Sequence, residues 1–145
     1  MAPEMAPSKP ILLMPPVDVR PPATMSDRLR AELVTLKQVP GFEAAVVSRR
    51  DGLVIHHTMK TAHEAASLCA MAAAMVGASG SAGAALERGG FVHAIIRYDD
   101  GILVVSEAGA EAVVACLLRP DANVGFLIMK IATVAENVME TLGEL

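Results

Sequence analysis

The chain has 145 residues, 53% of them hydrophobic, with a mean hydropathy of +0.46, which excludes whole-chain disorder and leaves room for one domain with a real core. A formal charge of −4 and a pI near 5.5 argue against a nucleic-acid partner, since phosphate binding needs a clustered basic surface. The aromatic residues are Phe42, Phe91, Tyr98 and Phe126 alone, so Ala, Val, Leu, Ile and Met must pack the core. Nine methionines supply soft, adaptable contacts suited to gap filling or to a binding surface.

Residues 1–24 hold Pro3, Pro7, Pro10, Pro15, Pro16, Pro21 and Pro22, which predicts a flexible, extended tail outside a domain spanning 25–145. Pro7-Ser8-Lys9-Pro10 matches a P-x-x-P only formally. Ile11-Leu12-Leu13-Met14 is an apolar tetrad on that tail, with fold-back on its own domain and plain disorder both ahead of docking on a partner. It is too short for a signal-peptide core and follows no basic n-region, so no signal peptide is expected. Met25 leaves open a shorter translated form.

The first helix is expected from Ser26, read as the N-cap with Asp27 in the first turn. Leu29, Leu33 and Leu36 give its apolar face, and Pro40-Gly41 stops it. Phe42 to Ser48 reads as a central strand, with Leu53 to His57 as its hairpin partner around Asp51-Gly52. Thr61 with Glu64 predicts a capping box opening a second helix that runs to Arg88. That helix is almost all small residues, and Gly77, Gly80 and Gly83 lower its propensity. Something outside it must hold it. Flat packing on a sheet and close approach to a twin helix fit such a surface. Residues 65–86 carry no charge until Glu87 and are long enough to span a bilayer, but Ala, Gly and Ser gain little from lipid, so no membrane span is expected.

Gly89-Gly90 ends the helix. Three strands are predicted next, Phe91 to Tyr98, Ile102 to Glu107 and Glu111 to Leu118, joined by Asp99-Asp100-Gly101 and a turn at Gly109. After Pro120, Asp121 or Asn123 caps a final helix whose Leu127, Ile131, Val134, Val138 and Leu142 recur at helical spacing. The order α-β-β-α-β-β-β-α describes an α+β protein with an antiparallel sheet.

Chemistry is thinly represented. Gly77-x-x-Gly80-x-x-Gly83 lacks a Gly-Lys-Ser/Thr ending and lies inside a helix, so no bound nucleotide is expected. His56 and His57 are adjacent and point to opposite faces of a strand, and with His63 and Glu64 they read as surface residues rather than metal ligands. Ser67 and Ser106 have no nucleophile elbow. Cys69 and Cys116 are far apart without C-x-x-C spacing and read as buried thiols in a reducing cytoplasm. No catalytic residue, cofactor or metal is assigned. Arg49 and Arg50, beside the first hairpin turn, are candidate partner-binding residues.

Val39-Pro40-Gly41, Asp51-Gly52-Leu53-Val54, Asp100-Gly101-Ile102-Leu103-Val104-Val105 and Arg119-Pro120-Asp121-Ala122-Asn123-Val124-Gly125, in that order, resemble the Roadblock domain. The family includes dynein light chains, scaffold subunits of GTPase regulators and bacterial gliding-motility GTPase activators. The resemblance covers about Ser26 to Leu142. It implies a Roadblock-like (profilin-like) three-layer fold, with a five-stranded antiparallel sheet carrying the second helix on one face and the terminal helices on the other. It also implies dimers joined through the second helix and the strand after it. Here that interface would use Met71, Met75, Ala78, Ala82, Val92, Ala94 and Ile96, the last three alternating on an otherwise exposed edge. The implied function is a non-enzymatic, homodimeric, cytoplasmic regulator or scaffold of a small Ras-like GTPase. The alternative is a purely structural dimeric adaptor with no effect on GTP turnover.

Overall fold

A computed structural model describes residues 23–143; the proline-rich segment and the Ile11–Met14 tetrad lie outside this range. The first helix, α1 (Met25–Leu36), starts earlier than Ser26. Thr24 is the cap instead: its Oγ1 accepts from the Asp27 amide at 3.1 Å and its own amide donates to the Asp27 carboxylate at 3.1 Å. Asp27 sits three residues after Thr24 and only one after Ser26, so only Thr24 can close this reciprocal box. The hydrogen bond from the Thr24 amide holds the Asp27 carboxyl below its ordinary pKa.

The sheet has the order β2-β1-β5-β4-β3 and is antiparallel throughout. Its strands are β1 (Phe42–Arg49), β2 (Val54–His57), β3 (His93–Tyr98), β4 (Gly101–Ala108) and β5 (Ala112–Leu118). The three central strands are buried on both faces and therefore read as unbroken apolar runs. Helix α2 (Ala62–Ala85) lies on one face, where Ala65, Cys69, Ala72 and Val76 meet Val46, Leu103, Val105, Val113 and Ala115. Helices α1 and α3 (Val124–Gly143) cover the other, where Leu29, Leu33, Leu127, Ile131, Val134 and Val138 meet Val47, Val104, Val114 and Cys116. The three-layer arrangement expected from the resemblance is present.

Three turns fix how these layers meet. The Pro40-Gly41 turn is tied to the turn before α3: the Arg119 amide donates to the Gly41 carbonyl at 2.8 Å and the Asn123 amide to the Pro40 carbonyl at 3.2 Å. Asn123, not Asp121, caps α3, its Oδ1 accepting from the Phe126 amide at 3.0 Å. Asp121 pairs with Arg119 instead. Helix α2 opens on Thr61, whose hydroxyl accepts from the Glu64 amide at 3.1 Å, but it ends at Ala85 rather than Arg88. Glu87 and Gly89 take positive φ values of 54° and 88°, and the Arg88 amide turns back to the Gly83 carbonyl at 2.8 Å. A left-handed residue here reverses the chain over the last helical turn.

Candidate interaction surface

Helix α2 is long and apolar enough to cross a membrane, with a hydropathy of 1.4, yet one stripe of it is committed to the sheet. Its outward residues, among them Ala70, Met71, Ala74, Gly77, Ala78, Ser81 and Ala82, are exposed. A Cβ built on Gly77 or Gly80 would meet nothing within 4 Å. Glycine in mid-helix costs roughly 0.5–1 kcal/mol relative to alanine, and no contact among the described residues requires it at either position.

Strand β3 continues the surface. It is an edge of the sheet, and α2 packs on β1, β2, β4 and β5 while α3 packs on β4 and β5, so no helix backbone lies directly over β3. Ala94 and Ile96 face the α2 side and are half-buried, with Ile96 against the α2-side core. Val92 is 72% exposed but precedes the strand, which begins at His93. Ile95, on the opposite face opposite Val104, is also exposed, as are Tyr98 and Leu86. The alternating pattern Val92, Ala94, Ile96 conceals Ile95, because Ile95 and Ile96 are adjacent; Tyr98 continues the alternation, and Ile95 stands between the exposed His93 and Arg97 on the other face.

Between α2 and the sheet, an open groove of about 300 Å³ is lined by Met59, Leu68, Met71, Met75, Tyr98 and Leu103. Met71 stands on its rim, 53% exposed, and Met75 is partly buried against the core. The predicted Met71, Met75, Ala78, Ala82, Val92, Ala94 and Ile96 thus all lie on α2 or along the β3 edge. The predicted Arg49 and Arg50 do not join this groove. Arg49 is opposite Ala112 whereas Tyr98 is opposite Gly101, at the two ends of the sheet. Both guanidinium groups are engaged within the chain, Arg49 with Asp51 at 2.9 Å and Arg50 with Glu107 at 2.9 Å.

His63, Glu64 and Ser67, weighed separately in the sequence, line the same groove near its Met71 side. Among the described residues no group of three or more His, Cys, Asp or Glu side chains is placed to hold a metal ion. His56 faces the α1 side, opposite Val47, and His57 the α2 side, opposite Val46. Burial depresses the His56 pKa, with Arg30 and then His57 adding to the effect. His57 Nδ1 accepts from the Met59 amide at 3.1 Å. Cys69 and Cys116 are free and lie in the cores on opposite faces of the sheet; burial pushes both thiols up. The buried Ser106 hydroxyl donates to the Glu107 carbonyl.

The fold has counterparts in known proteins. A family model for the Roadblock/LC7 domain matches residues 31–118. The chain belongs to the Roadblock/LC7 family. Solved structures agree in fold. A Roadblock/LC7 domain from Streptomyces avermitilis is 25% identical, with a TM-score of 0.73, covering 77% of this chain and 95% of that one. The gliding protein MglB from Thermus thermophilus is 19% identical, with a TM-score of 0.74 and coverage of 88% and 100%. An MglB in a tetrameric arrangement is 20% identical, with a TM-score of 0.75 and coverage of 87% and 98%. No curated protein matches the sequence. The first half of α1 and all of α3 lie outside the matched span and pack on the same sheet.

Proposed function

We propose that this Roadblock domain is a homodimeric, non-enzymatic regulator or scaffold of a small Ras-like GTPase, with two copies joined through α2 and β3. The observation that carries the reading is the continuity of α2's outward small-residue face with an uncovered, apolar β3 edge. A second β3 laid antiparallel on the first would supply hydrogen-bond partners to the free edge and merge two sheets. A second α2, packed on Gly77, Ala78, Ser81 and Ala82, would approach closely because no long side chain holds it off. Self-association also fits the tetrameric arrangement in which an MglB of the same fold is known.

The GTPase as partner, and binding rather than catalysis as the role, rest on what membership of the family implies. Light scattering on the purified chain tests the assembly: a mass of two chains at micromolar concentration is expected, and a mass of one overturns it. Capture from a native lysate in GTP-analogue and GDP states tests the partner. Enrichment of a small GTPase in one nucleotide state is expected; capture of large proteins indifferent to nucleotide favours the structural adaptor.

A further inference from the structure

The apolar tetrad Ile11–Met14 lies outside the described residues, and the place where the described chain begins bears on what it can reach. Met25, in the first turn of α1, is itself a wall of a second groove, about 320 Å³, on the α1 and α3 side of the molecule. Ile55 of the edge strand β2 and Leu142 of the last turn of α3 complete its apolar lining, and Arg49 and Glu111 stand at its rim. Beside it the outer edge of the sheet is a strand of only four residues, preceded by Leu53 at 57% and starting with Val54 at 37% exposure. The rim offers one charge of each sign, and the tetrad is flanked in the same way, by Lys9 on one side and Asp18 on the other.

We propose that Ile11–Met14 seats in this groove of its own chain, covering Met25, Ile55 and Leu142 and the open end of β2. Residues 15–24 separate the tetrad from Met25. Fully extended in a polyproline conformation at about 3.1 Å per residue they span roughly 30 Å, ample for a groove that starts at Met25 itself. So short a tether holds the tetrad at an effective concentration on the order of millimolar. A contact too weak to form between separate molecules is then populated within one. The groove between α2 and Tyr98 is the poorer destination: it lies across the sheet from α1, on the surface assigned to self-association. The inference does not depend on the GTPase reading.

The test uses the full chain with a nitroxide on Ser8→Cys, Cys69 and Cys116 being buried, and ¹³C-methyl methionine signals as the readout. Relative to the reduced label, the Met25 methyl signal is expected to broaden strongly while that of Met129, near the opposite end of α3, does not. Adding Leu12→Ser and Leu13→Ser to the same labelled chain should restore the Met25 signal and raise deuterium uptake across Val54–His57 severalfold. An unchanged circular dichroism spectrum and an unchanged Met129 signal in the substituted chain separate loss of docking from loss of fold. Equal broadening with and without them means that tethering alone brings the label close, and overturns the proposal. Broadening that arises only between chains in a mixture of labelled and isotopic protein assigns the tetrad to the partner copy's groove and overturns docking in cis.

Discussion

Gly41 carries the tightest constraint in the molecule. Its φ is +93°, and a Cβ there would lie 2.5 Å from the Ala122 Cβ and 2.6 Å from the Ala122 Cα. Neither atom is the end of a flexible side chain, so relief would require moving the Arg119–Asn123 turn and the α3 cap with it. Gly41→Ala is expected to cost about 2–4 kcal/mol, left-handed strain and overpacking together, read from the urea midpoint. Gly90→Ala, in open space, should stay within about 0.5 kcal/mol. His56 gives a pH signature. Its folded pKa is depressed by burial, Arg30 and His57, so the unfolded chain takes up the proton more readily. This contribution is fully present above the ordinary histidine pKa of about 6.5 and is lost as pH falls through the interval down to the folded value. A melting temperature that falls between neutral pH and the onset of carboxylate titration is expected, with that fall reduced in His56→Gln. These residues also show where local reading has limits. Thr24 and Ser26 are equally good caps by type, and only the position of Asp27 separates them; Ile95 is hidden because its neighbour satisfies the alternation.

At the scale of elements, the order α-β-β-α-β-β-β-α is legible because each change of direction is punctuated: Pro40-Gly41, Asp51-Gly52, Gly89-Gly90, Asp100-Gly101 and Gly109. β1 is recognisable as central because an unbroken apolar run needs cover on both faces. The pairing of β1 with β5 joins residues that are far apart in sequence, and no local pattern encodes such a partner. Helix α2 is the reverse case, since its composition signals an unmet need that a single chain does not satisfy. Gly77 and Gly80 therefore allow the monomer and the dimer to be separated. Gly77→Ala with Gly80→Ala should raise helix stability by roughly 0.5–1 kcal/mol per site while weakening self-association, because in the proposed dimer each new methyl would stand between two closely packed backbones. Sedimentation over a concentration series and thermal melting of the dilute chain should move in opposite directions. A parallel rise in both would place the dimer contact elsewhere than on the glycine stripe.

The whole molecule keeps the α2 and β3 surface apart from its other candidate surfaces, which meet at Arg49 on the rim of the Met25 groove. The α2 and β3 surface lies on one face and edge; Arg49 and Arg50 occupy the far end of β1, each held by a carboxylate of its own chain; the Met25 groove lies across the sheet from α2. A regulator working through α2 and β3 should be disabled by one charge there and be indifferent to loss of both arginines. Ala78 is exposed and packs on nothing in the core, so Ala78→Arg should leave the circular dichroism spectrum intact, halve the mass seen by light scattering, and abolish nucleotide-dependent capture of the GTPase. Arg49→Ala with Arg50→Ala should preserve the dimer, the capture and any change in GTP turnover. Their ion pairs are partly exposed, and such pairs contribute about 0–1 kcal/mol each, so folding should survive. If turnover stimulation vanishes in the double variant while dimer and capture persist, an arginine is being supplied in trans. Asp51 and Glu107 would then act as clasps that release it when the partner arrives, and Glu107→Gln, which weakens the hold on Arg50, should raise stimulation above that of the parent chain.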